Sequence, residues 1–90
     1  MNNFIIYSKK VCPYCDNAKA LLKSKGYSYT EVMVDQDQDA LENMIKITNR
    51  RTVPQIFFGQ YHIGGFDDLV VIEQSGELEK IVNESESLGE

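Results

Sequence analysis

The 90-residue sequence has no tryptophan, one histidine, two prolines and two cysteines. Its cations are outnumbered, nine lysines and arginines against fourteen aspartates and glutamates, for a net charge of -5. That deficit argues against a nucleic-acid partner, because phosphate backbones are gripped by clustered basic side chains. With His62 the single histidine, four zinc ligands cannot be gathered from cysteine and histidine alone, so no metal site is expected. The run Asp35-Gln36-Asp37-Gln38-Asp39 lacks the glycine and distal glutamate of a calcium-binding loop. No apolar stretch approaches the roughly 20 residues of a membrane-spanning helix, and the N-terminus lacks the charged-then-apolar layout of a secretion signal. The expected setting is the cytoplasm, without membrane contact, where a cysteine pair rests largely reduced.

What is present makes one small domain, residues 1–90, with an apolar content of 42% that serves a single core and needs no disorder argument. The cysteines stand three apart in Cys12-Pro13-Tyr14-Cys15. The apolar run Phe4-Ile5-Ile6-Tyr7 and the polar turn Ser8-Lys9-Lys10-Val11 precede them, and a helical pattern follows. A thiolate attacks disulfides and a thiol does not, so a redox cysteine needs a lowered pKa. A helix N-terminus provides unpaired N–H groups and about half a positive charge at Cys12, and Lys9 and Lys10 add to that field. Pro13 suits the first helical position, where its missing N–H has no partner. Cys15, one turn on, can reach back to Cys12 and is expected to be the more buried of the two. The spacing would also serve buried structural cysteines; the strand-then-helix setting favours redox chemistry. Cations concentrate at Lys9, Lys10, Arg50 and Arg51, which suits a small anionic ligand or plain solvated surface.

The continuous run 4–7 predicts a strand buried on both faces in mid-sheet. A helix is predicted over 13–25, with Cys15, Ala18, Leu21 and Leu22 as its apolar stripe and Gly26 as its stop. A strand over 27–34 completes a βαβ unit with a right-handed crossover. Asp39 followed by Glu42 resembles a capping box for a second helix, faced by Leu41, Met44, Ile45 and Thr48 and closed by Asn49. Gln55-Ile56-Phe57-Phe58, a Gly59-Gln60 turn and Tyr61-His62-Ile63 read as a hairpin, with Pro54 at the strand's first position because it cannot donate to a ladder. Gly64-Gly65 permits close backbone approach, and Phe66-Asp67-Asp68 opens a third helix. Gly76 precedes a last helix buried through Leu78, Ile81 and Val82. The acidic tail 83–90 is expected to fray.

This order, with the cysteine pair at the start of the first helix, resembles the thioredoxin fold: α/β, a four-stranded mixed sheet flanked by helices as β-α-β-α-β-β-α-α. Cys12-Pro13-Tyr14-Cys15, Thr52-Val53-Pro54 and Gly64-Gly65-Phe66-Asp67-Asp68, in that order and covering nearly the whole chain, are together similar to the dithiol glutaredoxin family of CPYC type. Thioredoxin itself is disfavoured, since tryptophan flanks its active site and this chain has none. The resemblance implies that Cys12 is the nucleophile and Cys15 the resolving thiol. It implies a cis Pro54 that holds the Val53 backbone toward Cys12 to pair with glutathione, with Thr52 beside it. Lys9 and Arg50 would take the glycine carboxylate of glutathione, Gly65, Phe66, Asp67 and Asp68 the γ-glutamyl end, and Tyr14 would pack beside the sulfur. A helix N-terminus bearing an aspartate does suit a group with both a carboxylate and an ammonium. Asp67 and Asp68 would equally serve as caps, Phe66 as a core contact and Pro54 as an ordinary trans proline.

The reaction so implied is attack of Cys12 on a glutathione mixed disulfide, resolved by a second glutathione or by Cys15. The implied partners are glutathione as co-substrate, glutathionylated proteins, protein disulfides such as that of ribonucleotide reductase, and indirectly the glutathione reductase system. A monomer is the default expectation for a small acidic domain with no obvious exposed apolar stripe. One rival is an iron–sulfur carrier in which two monomers and two glutathiones share a cluster through Cys12; Pro13 makes it less fitting. The others are a protein reduced by thioredoxin reductase and a non-catalytic binding module.

Overall fold

The run at 4–7 becomes β1 (Phe4–Ser8), an inner strand of a four-stranded sheet. The structure is a computed structural model that describes residues 3–88, with side chains described for 3–84. After β1 come α1 (Pro13–Ser24), β2 (Tyr29–Met33), α2 (Gln38–Thr48), β3 (Gln55–Phe58), β4 (Tyr61–Gly64), α3 (Phe66–Gln74) and α4 (Glu77–Leu88). The element order is the expected one, and the strands lie in the order β2-β1-β3-β4. β1 pairs parallel to β2 and antiparallel to β3, and β3 pairs antiparallel to β4. A bulge between Ile56 and Phe57 shifts the β3–β4 register, so that Phe57 faces His62 while Ile56 faces Gly64.

Alternation along the strands divides the interior in two. Phe4 and Ile6 of β1 and Ile56 and Phe58 of β3 point to one face, where Ala18 and Leu22 of α1, Leu69 of α3, and Leu78 and Val82 of α4 cover them. Tyr7 and Phe57 point to the other, under Met44 of α2 and beside Val34. Three helices thus lie on one face and one on the other. The sheet edge at β2 is half-exposed, with Glu31 at its middle.

Three local expectations are corrected. β2 begins at Tyr29 rather than 27, because the Tyr27 N–H still bonds the Leu22 carbonyl at the end of α1 (3.0 Å) and its ring packs on Phe4. The cap of α2 is Asp37, whose carboxylate accepts from the Ala40 N–H (3.2 Å); Asp39 lies inside the first turn, where its charge suits the helix dipole. Pro54 immediately precedes β3 instead of opening it. Asn49 does close α2 in the left-handed conformation, with φ 58°. Beyond Asn83, where fraying was expected, α4 continues to Leu88; Gly89 and Glu90 of that tail lie outside the described residues.

Candidate active site

Cys12 is the N-cap of α1, in extended conformation, and Pro13 occupies the first turn. The Cys15 N–H donates to Cys12 Sγ at 3.1 Å, so the sulfur takes the place that a serine or aspartate oxygen fills at other helix starts. The two cysteines form a disulfide across one turn, with Cα atoms 5.2 Å apart. Cys15 is fully buried and Cys12 is 6% exposed, which matches the expected ranking.

The middle of α1 is braced from β1 and β2. Ser8 is buried at the end of β1 and donates to Glu31 of β2 at 2.6 Å, and Glu31 accepts from Lys19 of α1 at 2.8 Å. The Lys19 hydrogen bond, then that of Ser8, holds the Glu31 carboxyl below its ordinary value; the same bond raises Lys19. Downstream, the Lys10 N–H donates to Asp35 at 3.1 Å, fixing the turn that leads to Cys12.

Facing Cys12 is the Thr52-Val53-Pro54 turn. The Val53–Pro54 bond is cis, and the Val53 carbonyl oxygen lies 3.9 Å from Cys12 Sγ. A third wall comes from the N-terminus of α3. Gly65 is its N-cap, and the Asp68 carboxylate accepts from the Gly65 N–H at 2.9 Å. Gly64 permits this: its φ is +118°, and a Cβ there would collide with the Asp68 carboxylate. Asp68 also meets Arg50 at 3.6 Å. Asp67 is exposed and makes no hydrogen bond or ion pair among the described residues.

These walls enclose a cleft of about 250 Å³. Tyr14, Arg50, Thr52, Val53, Pro54, Gly65, Phe66, Asp67 and Asp68 all line it, so the structure brings together every site residue expected from the sequence except Lys9 and the two cysteines, which stand on the facing helix. Tyr14, expected beside the sulfur, stacks on Phe66 with ring centroids 6.2 Å apart. Lys9 lines a neighbouring depression with Arg51, Asp35 and Leu41, sharing Thr52 and Val53 with the cleft. Gln55 also lines the cleft, where the sequence predicts only a strand residue; the signal for it is a polar side chain inside an apolar strand, where burial demands a partner. Its partners are His62 at one end of the amide and Thr52 at the other. Burial, and then the nearby Arg50 charge, pushes the His62 imidazole below its ordinary pKa, with Asp68 opposing.

A cysteine pair of this kind, capping a helix and set against an acceptor-lined turn, defines a thiol–disulfide oxidoreductase. The glutaredoxin family model matches residues 4–63, and the chain belongs to the glutaredoxin family. Over 82 residues it is 49% identical to glutaredoxin 3 of Escherichia coli strain K12, spanning 91% of this chain and 99% of that protein. A glutaredoxin of Neisseria meningitidis serogroup A is 39% identical over 84 residues, covering 92% of this chain and 99% of the other. Among solved structures, a buckwheat glutaredoxin–glutathione complex superposes with a TM-score of 0.83 at 32% identity, over 92% of this chain and 78% of that one. The solution structure of a Brucella melitensis glutaredoxin gives 0.79 at 41% identity, over 90% and 88%.

Proposed function

We propose that the chain is a glutathione-dependent oxidoreductase of the cytoplasm in which Cys12 is the nucleophile, Cys15 the resolving thiol, and the cleft beside them the glutathione subsite. The observation that carries this reading is the convergence of Arg50, the Val53 backbone and the α3 N-terminus on one cleft beside Cys12. Glutathione presents a peptide backbone, a glycine carboxylate, and a γ-glutamyl end with its own carboxylate and ammonium. Val53 offers backbone groups to the first. Arg50 suits the glycine carboxylate, with Lys9 lining the adjoining depression. The unpaired N–H groups at the start of α3 suit the γ-glutamyl carboxylate, and the free Asp67 carboxylate its ammonium.

Turnover then runs in two exchanges. Cys12 thiolate attacks the glutathione sulfur of a mixed disulfide, forming a Cys12–glutathione disulfide and releasing the substrate as a thiolate that takes up a proton. A second glutathione thiolate attacks the glutathione sulfur held on Cys12 and frees Cys12, yielding glutathione disulfide. In the two-thiol route the Cys15 thiolate attacks the Cys12 sulfur instead, releasing the thiol held there as a thiolate that takes up a proton and leaving the Cys12–Cys15 disulfide, which two glutathiones reduce with release of glutathione disulfide. That route extends the substrates to protein disulfides, of which ribonucleotide reductase is the one the family resemblance suggests. The test is glutathione-dependent reduction of a small mixed disulfide coupled to glutathione reductase. Turnover supports the assignment, and an inactive wild type under reducing preincubation refutes it.

A further inference from the structure

Behind the cleft wall runs a chain of polar contacts that the two exchanges do not use. Gln55 is 1% exposed, and its Nε2 donates to the Thr52 carbonyl at 3.0 Å and to Thr52 Oγ1 at 3.3 Å. A carbonyl only accepts, so this nitrogen must face Thr52 and Oε1 must face His62, whose Nε2 lies 2.7 Å away. Oε1 also only accepts, so His62 Nε2 carries a proton. The neutral Nε2–H tautomer and the imidazolium both meet this condition. The His62 ring is held flat against Phe57, with centroids 4.7 Å apart. The register bulge puts it there by pairing His62 with Phe57. At the far end Thr52 Oγ1 has accepted from Gln55 and keeps its own proton, and Thr52 is exposed on the cleft.

We propose that His62 and Gln55 are positioning residues that turn the Thr52 hydroxyl proton outward, as a donor to a carbonyl or carboxylate oxygen of the glutathione in the cleft. The proposal rests on the glutathione reading above. His62 and the Thr52 carbonyl, one at each end, fix which way the Gln55 amide faces. Without the His62 donor Oε1 is left buried without a partner, and the amide relieves this by turning Oε1 toward Thr52 Oγ1, opposed by the Thr52 carbonyl alone. The hydroxyl then donates inward and shows the cleft only lone pairs, and a glutathione oxygen loses its partner.

The test is a set of variants assayed on a glutathionylated peptide. His62→Phe keeps a ring on Phe57 and removes the donor. His62→Gln restores one, since its amide nitrogen lies the same number of bonds from the backbone as His Nε2. His62→Phe is expected to raise KM about fivefold with kcat unchanged, the worth of one net hydrogen bond. His62→Gln is expected to bring KM back. Thr52→Val should raise KM as much, and the double variant His62→Phe/Thr52→Val no further. Should His62→Phe fail to fold, Gln55→Met, which keeps the length and removes both amide ends, must give the same rise. An unchanged KM, a failed rescue, or additive effects in the double variant would overturn the relay. A wild type without glutathione turnover would instead overturn the substrate reading and the donor role together, so the two failures are told apart.

Discussion

The wall that carries the sulfurs and the wall that faces it are built on opposite plans. On the α1 side one residue, Cys12, is the proposed nucleophile, and its surroundings hold it still: a cap bond from Cys15, and a brace from Ser8, Glu31 and Lys19. On the facing side no single residue dominates. Thr52, Val53, Arg50, Asp67 and the α3 N-terminus each offer one contact in the proposed reading, supplied by two separate segments. Bond exchange needs one atom with the right charge, whereas recognition of a flexible zwitterion needs several weak, well-placed partners. Substitutions on the first wall should therefore act as switches, and those on the second as graded losses of affinity.

The strongest check of that contrast is Cys12→Ser, which should lower glutathione-dependent turnover by roughly a thousandfold or more, read in the coupled assay. Cys15→Ser should split the activities. Reduction of small glutathione mixed disulfides persists, while reduction of a protein disulfide falls by roughly a hundredfold, because the resolving attack is no longer intramolecular. Equal loss in both assays would make Cys15 part of the primary nucleophile's machinery and blur the two-step scheme. On the facing wall, Gly64→Ala forces a β-carbon onto the Asp68 carboxylate at a positive φ, and chemical denaturation should show a loss of about 1–3 kcal/mol. Asp67→Asn should raise KM for the glutathionylated substrate about fivefold with kcat intact, as expected for an exposed charged contact. A large fall in kcat instead would move Asp67 out of the recognition wall.

The smallest effect belongs to the brace. Glu31 has its pKa depressed, so it contributes stability above the ordinary carboxylate range and loses it as pH falls through the lower folded value. Lys19 is raised, so its share is full below its ordinary value and is lost as pH rises through the higher folded one. Glu31→Gln should cost less than about 1 kcal/mol at neutral pH and flatten the acid limb of a stability–pH curve.

The α1 wall was the more legible in the sequence. Cys12, Pro13 and Cys15 are adjacent in the chain, and their spacing alone places one at a cap, one in the first turn and one a turn beyond. The facing wall joins segments up to seventeen residues apart, Arg50 to Asp67, and its members come from motif resemblance, which assembles them without giving their contacts. Resemblance put Lys9 in the same subsite, yet its side chain lies over the next depression. Asp39 was favoured as the α2 cap because Glu42 follows three residues later, but Asp37 sits where the chain is still extended, and backbone conformation decides which aspartate reaches a free N–H. The Gln55–His62 contact was illegible because it depends on a bulge, and a one-residue register shift leaves no mark on hydrophobic alternation in a four-residue strand.

That α1 is capped by sulfur carries one more consequence. At most helix starts the capping oxygen has a fixed basicity, and the first turn is equally firm at all times. Here the acceptor is an atom whose charge changes in every cycle of the proposed turnover. The Cys15 N–H bond is weak to a disulfide sulfur and strong to a thiolate, so the firmness of the helix start and the electron count of the pair are linked quantities. Whatever free energy the charged cap adds to the fold must, by reciprocity, add equally to the protein's hold on its electrons. Melting temperature and redox poise are then two readings of a single term.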